Sequence, residues 1–358
     1  MKKLRAGIIG ATGMVGQRFA LLLSKHEWFD VALLAASHRS AGKTYAEAVG
    51  SRWAMPEKIP EDLRESVLYD AADVKRIARE VDFVFCAVDM EKTEILSLEQ
   101  AYAQAECPVI SNNSAHRFTL DVPMIIPELN HAHAAVIDAQ RKRLGTKKGF
   151  IAVKSNCSIQ SFVPMLYPLH ERYTVNKVFV CTYQAISGAG KTLFGCPEIA
   201  DNIIPYIKGE EEKSALEPLK IFGRLVNGAI EPAQAPEIIA RCLRVPVSDG
   251  HLAAVFASFH EKPNLEEIKT IWRDYKGAPQ LLCLPSAPKQ FIHYFEEPNR
   301  PQVRLDRDLE NGMAVSAGRL QLDGQNDISF IGLSHNTLRG AAGGAVLLAE
   351  LLCEYGYL

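Results

Sequence analysis

The stretch LRAGIIGATGMVGQRF, residues 4–19, decides the predicted fold, because an apolar run meets a glycine-rich turn and then a helical pattern. Leu4 to Ile9 is typical of a buried strand, and Val15 to His26 has the spacing of an amphipathic helix. Small residues in the turn would let the backbone approach a pyrophosphate, whose charge a helix N-terminus stabilises. The stretch therefore predicts the first βαβ unit of a dinucleotide-binding domain.

The glycine spacing of this turn is G-x-x-G-x-x-G, one position away from the usual G-x-G-x-x-G fingerprint. A tight strand–helix turn without a ligand is the alternative interpretation. The place of the glycine-rich turn between a strand and a helix favours a nucleotide site. The candidate cofactor-binding residues in the turn are Gly10, Thr12, Gly13, Met14 and Val15.

The segment SHRSAGK, residues 37–43, indicates which nucleotide is bound. It follows the second apolar run, Val31–Ala36, and contains no acidic residue. NAD enzymes usually carry an Asp or Glu here, which binds the ribose hydroxyls. Ser37, Arg39 and Ser40 instead offer charge and hydrogen bonds to a 2′-phosphate, although a surface arginine would give the same pattern. We therefore predict NADP.

The rest of the chain indicates two kinds of β-structure. Before residue 150, the apolar runs 81–88 and 107–111 flank a helical pattern at 91–105, which indicates a parallel sheet. Later strand-like runs lie at Val175–Gln184, Arg241–Val247, Leu252–Phe259, Met313–Leu322 and Ile328–Leu333. We predict an α/β protein in which a Rossmann-type parallel-sheet domain, residues 1–153, precedes an α+β domain, residues 154–335, built on a mostly antiparallel sheet. A C-terminal helix over residues 336–358 would pack back on the first domain and complete it.

The composition of the chain argues against several classes of protein. The 358 residues are 47% apolar and 23% charged, with a net charge of −2, which argues against disorder and against binding to nucleic acid or an anionic membrane. No apolar run approaches the ~18 residues of a membrane span. The eight cysteines form no C-x-x-C pair, which is typical of reduced thiols and not of a zinc site. We expect a cytoplasmic protein without a metal.

Cys157 is the candidate nucleophile. It lies in KSNCSIQ, residues 154–160, after the strand-like run Phe150–Val153, and it alone among the cysteines has a polar strand-to-helix context. If a helix begins near Asn156, its N–H groups and dipole would favour a thiolate and form an oxyanion hole. Pro164 indicates a kink or a later start. An inert buried thiol is the alternative.

His251 is the histidine best placed for chemistry. It ends RVPVSDGH, residues 244–251, at a predicted turn between two strands, where it could face a cleft or solvent. His131 and His133 are two residues apart and would face different directions, so we expect no metal pair there.

Six motifs occur together and in order: GATGMVGQRF at 10–19, SHRSAGK at 37–43, SNCS at 155–158, QAISGAG at 184–190, RVPVSDGH at 244–251 and NTLRGAAGG at 336–344. From residue 5 onward the chain resembles the aspartate-semialdehyde dehydrogenase family, in its archaeal and fungal branch. The resemblance implies NADPH-dependent reductive dephosphorylation of L-aspartyl 4-phosphate, in the biosynthesis of lysine, threonine and methionine. Cys157 would be the nucleophile, His251 the acid–base residue and Gln184 the residue that positions the acyl group.

The resemblance also implies the substrate residues. Arg244 would pair with the α-carboxylate, and Glu210 would take the substrate amine. Lys213 and Arg117 would approach the phosphate, and Asn156 would complete the substrate site.

The remaining implications concern the nicotinamide and the assembly. Ser187, Gly188, Asn336 and Thr337 would lie around the nicotinamide and its ribose. The second domain would form the interface of a homodimer or homotetramer.

Three alternatives stay open. A malonyl-CoA reductase-like enzyme would share the fold, the cysteine and NADPH, but its substrate has no α-amine for Glu210. A non-catalytic NADP sensor would have no use for Cys157, His251 and Arg244 together. The Gly-Lys-Thr at 190–192 suggests a P-loop, but that motif needs a glycine where Ala185 stands.

Overall fold

Two large β-sheets organise the chain, and the computed structural model describes residues 2–358. Its strands are β1 (Leu4–Ile9), β2 (Phe29–Ala36), β3 (Tyr69–Asp70), β4 (Phe83–Cys86), β5 (Val109–Ser111), β6 (Met124–Ile125), β7 (Ile151–Lys154), β8 (Val175–Gln184), β9 (Arg224–Val226), β10 (Ala229–Glu231), β11 (Glu237–Arg244), β12 (His251–Phe259), β13 (Ile292–Phe295), β14 (Val315–Leu322) and β15 (Ile328–Ser334). Its α-helices are α1 (Met14–Leu23), α2 (Tyr45–Val49), α3 (Glu61–Arg64), α4 (Val74–Glu80), α5 (Lys92–Gln104), α6 (Ile137–Leu144), α7 (Val163–Tyr173), α8 (Glu210–Ile221), α9 (Leu265–Asp274), α10 (Ala278–Leu281), α11 (Val303–Asp306), α12 (Leu309–Gly312) and α13 (Ala342–Glu354).

The first sheet is parallel throughout, in the order β3-β2-β1-β4-β5-β7-β6. Every residue of β4 and of β7 is buried, which is typical of parallel strands covered on both faces. Helix α13 packs against α1, β5 and β7, so the C-terminal helix returns to this sheet as predicted. The predicted Rossmann-type architecture is therefore confirmed.

Close packing around the glycine-rich turn explains two of its glycines. Gly10 has φ +91°, and a Cβ there would lie 2.3 Å from the carbonyl oxygen of Ala87. A Cβ on Gly16 would lie 2.2 Å from the carbonyl oxygen of Gly10. A side chain at Gly10 would push the turn away from the end of β4, and one at Gly16 would push α1 away from the turn, so both positions require glycine.

The second sheet is mixed, in the order β11-β8-β12-β15-β14-β13. Its three central pairings are antiparallel, while β11 and β13 pair with their neighbours in parallel at the two edges. This agrees with the predicted α+β half. Helices α7 and α9 pack together on one face and α8 packs against β11.

One apolar core joins the two sheets. It continues from Val84 and Val153 of the first sheet through Phe162 to Val255 and Phe330 of the second. The chain passes between the sheets through the turn that contains Cys157. This turn lies directly on the mixed sheet, because a Cβ on Gly332 of β15 would stand 1.9 Å from the carbonyl oxygen of Ser161.

Two predicted helix starts differ from the structure. A 3₁₀ turn, Ser158–Ser161, follows Cys157, and α7 begins only at Val163, with Pro164 in its first turn. Proline suits the first turn of a helix because the backbone N–H that it lacks would have no intrahelical partner there. The last helix begins at Ala342 and not at Asn336, since residues 336–341 form tight turns. Of the residues described, no helix has both the length and the apolar character needed to cross a membrane.

The buried ion pair between Arg339 and Glu128 gives a prediction about stability. Both side chains are fully buried, and Arg339 Nη1 donates to Glu128 Oε1 at 2.7 Å. We expect Arg339→Met to lower the free energy of unfolding in urea by about 3–5 kcal/mol, because it leaves a buried carboxylate unpaired. Adding Glu128→Leu should recover most of that loss. A single variant within about 1 kcal/mol of the parent would contradict this account.

Candidate active site

Cys157 and His251 form a pair at the junction of the two sheets. Cys157 lies three residues beyond the end of β7, and His251 is the first residue of β12. His251 Nε2 lies 3.4 Å from Cys157 Sγ, within hydrogen-bonding distance for sulfur. The structure thus brings the predicted nucleophile and the predicted acid–base residue together.

A backbone donor determines the tautomer of His251. The N–H of Ala185 donates to Nδ1 at 3.0 Å, so the neutral ring carries its proton on Nε2, facing the sulfur. Burial, reinforced by the charge of Arg244, lowers the pKa of His251 to about 3. In the free protein the ring is therefore an uncharged hydrogen-bond donor toward Cys157.

The electrostatics of Cys157 differ from the predicted helix-dipole arrangement. Burial, followed by the Glu210 carboxylate, raises the pKa of the Cys157 thiol, and the cations of Lys154, Arg117 and Arg244 oppose this rise. No α-helix begins at the cysteine, so the expected dipole is replaced by these side-chain charges.

The backbone N–H groups expected to form an oxyanion hole already have partners. Ser158 N–H donates to Asn156 Oδ1 at 2.9 Å, and Asn156 N–H donates to Glu217 Oε2 at 2.6 Å. The prediction of an oxyanion hole is therefore wrong for these two N–H groups, because neighbouring side chains already accept their hydrogen bonds.

Glu210 places a carboxylate beside the cysteine. It is the first residue of α8 and accepts hydrogen bonds from Lys213 Nζ at 2.9 Å, Asn156 Nδ2 at 3.0 Å and Gln184 Nε2 at 3.3 Å. Burial acts to raise its pKa, but these partners together hold the pKa of Glu210 below its ordinary value. The site therefore contains an oriented anion.

Arg117 is oriented by Glu217, a residue that the sequence analysis did not select. Arg117 Nη1 donates to Glu217 Oε1 at 2.8 Å, and its Nε donates to the Lys154 carbonyl at 3.0 Å. Glu217 is fully buried and stands seven residues after Glu210, on the same side of α8. That helical spacing was the only sequence feature that could have identified it.

The side chains of Arg244 and His251 both pack closely against Gly188. Arg244 Nη1 donates to the Ala185 carbonyl at 2.7 Å, and the whole Arg244 side chain is buried. A Cβ on Gly188 would lie 2.9 Å from that same Nη1 and 3.1 Å from His251 Cε1. Glycine at 188 therefore lets the 3₁₀ turn Ile186–Ala189 approach both side chains.

A cavity of about 250 Å³ is lined by half of the predicted site residues. The predicted residues that line it are Val15, Arg117, Asn156, Cys157, Ser187, Gly188, Glu210, Lys213, Asn336 and Thr337. Asn336 links two segments that approach the site, since its Nδ2 donates to Ser187 Oγ at 2.8 Å and its Oδ1 accepts from the N–H of Gly250, the residue before His251, at 2.7 Å. Gln184 and Arg244 are buried just behind this lining.

A second cavity, of about 440 Å³, lies at the carboxyl ends of β1, β2 and β4. Gly10, Thr12, Gly13 and Ser37 line it, as predicted. Met14 begins α1, and within residues 2–358 no side chain caps that helix, so its first N–H groups remain available to an anion.

The loop after β2 extends beyond this cavity. Arg39 is exposed and Ser40 is half-buried, and neither belongs to the lining. His38 and Asp70 do line it, although the sequence analysis selected neither. Asp70 ends a two-residue strand that gives no periodic pattern in the sequence.

The side chains of His131 and His133 contact neighbouring residues of the fold. His133 lies within 3.0 Å of both Asn130 Nδ2 and the Gly223 carbonyl oxygen, and His131 contacts the Tyr355 hydroxyl. Over residues 2–358, no group of three or more His, Cys, Asp or Glu side chains is placed to hold a metal ion.

Comparison with known proteins identifies the family of the chain. Residues 5–137 match the family model "Semialdehyde dehydrogenase, NAD binding domain", and residues 166–339 match "Semialdehyde dehydrogenase, dimerisation domain". The chain is 40% identical over 353 residues to aspartate-semialdehyde dehydrogenase of Methanothermobacter thermautotrophicus, covering 98% of this chain and 99% of that one. The chain belongs to the aspartate-semialdehyde dehydrogenase family.

Two further comparisons extend the family relationship to the fungi. The family member of Candida albicans is 40% identical over 365 residues, covering 98% of each chain. The crystal structure titled as aspartate semialdehyde dehydrogenase with NADP from C. albicans superposes with a TM-score of 0.90 at 38% identity, covering all of both chains. The resemblance to the archaeal and fungal branch is confirmed.

The hydrogen bond to Nδ1 gives a prediction about His251. We expect His251 to remain neutral, with its proton on Nε2, from pH 9 down to pH 5, because its lowered pKa lies near 3. Long-range ¹H–¹⁵N NMR spectra of ¹⁵N-histidine-labelled protein report both ring nitrogens, and His251→Gln assigns the resonance. A His251 signal that titrates between pH 5 and 9, or that places the proton on Nδ1, would contradict the assignment.

Proposed function

We propose that the chain catalyses the NADPH-dependent reductive dephosphorylation of L-aspartyl 4-phosphate to L-aspartate 4-semialdehyde and phosphate, a step in the biosynthesis of lysine, threonine and methionine. The observation that carries this proposal is the Glu210 carboxylate beside the Cys157–His251 pair. A cysteine and a histidine suit any acyl transfer, whereas an oriented anion next to them suits an acyl substrate with an amino group. The named archaeal and fungal relatives support the same activity.

The residues at the ends of the first sheet fit a dinucleotide. Gly10 lets the turn's backbone lie close to the end of β4, Gly16 lets α1 lie close to the turn, and the uncapped N-terminus of α1 favours a pyrophosphate. Ser37, Arg39 and Ser40 would hold the 2′-phosphate of NADP, and the residues around Asn336 would hold the nicotinamide end. When bound, NADPH supplies the hydride that reduces the acyl group.

Cys157 performs the covalent step. Its thiolate attacks the acyl carbon, so that a C–S bond forms, the C–O bond to phosphate breaks, and phosphate leaves with the bonding electrons. A thioester on Cys157 is the product of this step, and a thioester accepts hydride more readily than a carboxylate does. His251 donates a hydrogen bond from Nε2 to the sulfur and is placed to assist the proton transfers.

Charge complementarity assigns the substrate groups. The Arg244 guanidinium would bind the α-carboxylate, for which its forked donors are suited. Glu210 would take the α-amine, and Lys213 and Arg117 would approach the phosphate. Asn156 and Gln184 both donate to Glu210, so they would orient its carboxylate toward the amine.

An acyl-CoA reductase of the malonyl-CoA type is the competing proposal. A CoA thioester has no α-amine, so it would offer the oriented carboxylate of Glu210 no group to bind. Glu210 therefore favours the aspartyl phosphate.

We further propose that residues 154–335 form the catalytic and dimerisation domain, and that residues 1–153, completed by the last helix, form the NADP-binding domain. The mixed sheet has one face that its own helices leave partly open. Ile239, Phe179 and Phe256 stand directly opposite one another on three adjacent strands of that face, and each is at least partly exposed. An apolar row of this kind suits contact with a second copy of the chain.

The reverse reaction tests the proposed function. Purified protein is given aspartate semialdehyde, phosphate and NADP, and reduced nicotinamide is followed by absorbance, with NAD in a parallel sample. We expect a phosphate-dependent signal with NADP. Malonate semialdehyde with CoA is the competing pair, and a signal only with that pair would overturn the assignment of the substrate.

Two variants test the residue roles in the same assay. Cys157→Ser should lower kcat by about 10³-fold or more, because an alcohol is a poor nucleophile without a strong base. Arg244→Leu should mainly raise KM for aspartate semialdehyde. Near-normal turnover of Cys157→Ser would contradict the thioester mechanism and would leave the protein without a covalent step.

The open sheet face gives a prediction about assembly. Phe256→Glu places a charge at one end of the apolar row, so we expect it to shift the protein to a smaller species in size-exclusion chromatography with light scattering. Leu281→Glu is the matched control, since Leu281 is exposed on α10, outside this sheet. An unchanged mass for Phe256→Glu would place the interface elsewhere.

A further inference from the structure

Lys220 is a buried cation on α8 that the proposed mechanism leaves without a role. Only 2% of its surface is exposed. Its Nζ donates hydrogen bonds to the carbonyl oxygens of Arg117, Thr119 and Val122 at 2.8, 2.7 and 2.8 Å. An ammonium group has three N–H donors, so these three carbonyls satisfy all of them. The side chain of Lys220 therefore joins α8 to three points of one backbone segment.

That segment is the connection between β5 and β6, residues 112–123, and it forms neither helix nor strand. Within residues 2–358, no backbone N–H donates to the carbonyl of Arg117 or to that of Val122, and both residues are buried. A buried carbonyl without a partner is costly, so the ammonium of Lys220 satisfies a need that the backbone leaves open. The conformation of the segment therefore depends on Lys220.

Helix α8 holds Arg117 at a second point as well. Glu217 stands one turn before Lys220 and accepts a hydrogen bond from Arg117 Nη1 at 2.8 Å. Residues three apart on a helix lie on the same side, so both contacts come from one face of α8. Lys220 fixes the backbone of Arg117, and Glu217 fixes its guanidinium group.

The same helix carries Lys213, the other cation that is proposed to approach the phosphate. Arg117 and Lys213 line one cavity, although they lie in different parts of the chain. Because α8 carries Lys213 and also anchors Arg117, the helix sets the separation between the two cations. Lys220 itself does not line that cavity.

We propose that Lys220 is a positioning residue for phosphate, which holds Arg117 at the distance from Lys213 that the phosphate group requires. The proposal rests on the proposed function, in which these two cations approach the phosphate. Lys220 acts through Arg117 and touches no substrate. Phosphate binds more tightly to two cations that are already fixed in place, because binding then pays less for ordering them.

The test is the dependence of the reverse reaction on phosphate concentration. It is run at pH 7, where Lys220 keeps its three donors because burial lowers its pKa only to about 8. We expect Lys220→Met to raise KM for phosphate about tenfold, because the segment that carries Arg117 loses its anchor. KM for NADP should stay within about twofold of the parent's value, since the cavity near the glycine-rich turn has no residue from this segment.

Lys269→Met is the matched control. Lys269 lies on α9, its Nζ contacts the carboxylates of Glu266 and Glu296, and 16% of its side chain is exposed. Removing this ammonium group should leave KM for phosphate unchanged. A Lys220→Met protein that has lost stability or kcat but keeps the parent's KM for phosphate would overturn the proposal, because that result describes a purely structural lysine.

Hydrogen exchange followed by mass spectrometry tests the anchoring itself, without substrate. We expect amides in residues 112–123 to exchange faster in Lys220→Met, while those of β7 keep the parent's rates. Unchanged protection of residues 112–123 would overturn the proposal even if KM for phosphate had risen, because the lysine would then act by another route.

Thermal unfolding, followed by fluorescence, identifies folded variants. If Lys220→Met does not fold, Lys220→Gln takes its place, since its amide keeps two N–H donors, and we expect a rise of about threefold in KM for phosphate. A folded Lys220→Gln protein with the parent's KM and exchange rates would overturn the proposal. A parent protein without phosphate-dependent activity would instead refute the proposed function, so the two failures are distinguishable.

Discussion

The site depends on one buried carboxylate, that of Glu217. Its two oxygens accept from Arg117 Nη1 and from the N–H of Asn156. These donors belong to loops that leave β5 and β7 of the parallel sheet, whereas Glu217 belongs to α8, which packs against the mixed sheet. One anion therefore holds the nucleophile's turn, the proposed phosphate arginine and the helix that carries Glu210 in a fixed relation. Backbone pairing could not do this, because it acts within each sheet.

Charged groups in this site are largely paired before any substrate binds. Glu210 already holds Lys213, and Arg117 already holds Glu217. A zwitterionic acyl phosphate must therefore exchange its own charges with existing partners, which reduces the cost of desolvating the protein's side of the complex. Because these charges are paired, their net effect on Cys157 is small. Burial is then the largest influence, and it raises the pKa of the thiol. Small changes in nearby charge then have a large effect on thiolate content.

Sequence reasoning predicted what depends on local pattern. The limits of β1 and β8 are those of the strand-like runs in the sequence. The polar segment after β7 identified Cys157, because polar residues that follow a buried strand commonly lie where the chain leaves the core. The sequence leaves the start of α7 open, since Pro164 fits both a kink in a helix from Asn156 and the first turn of a later one. Glu217 could not be assigned a role, because its partners Arg117 and Asn156 meet α8 only in three dimensions. The two-residue strand β3 is too short to have a period, so Asp70 was missed as well.

Helix α13 has a consequence for how the chain is made. It packs against α1, β5 and β7, yet it follows the whole mixed sheet in the sequence. During synthesis the ribosome therefore releases the parallel sheet with one apolar face uncovered, and that face stays uncovered until β15 has emerged. The two halves cannot mature one after the other, as domains on a nascent chain usually do. The parallel sheet therefore reaches its final packing only after the whole mixed sheet has been made.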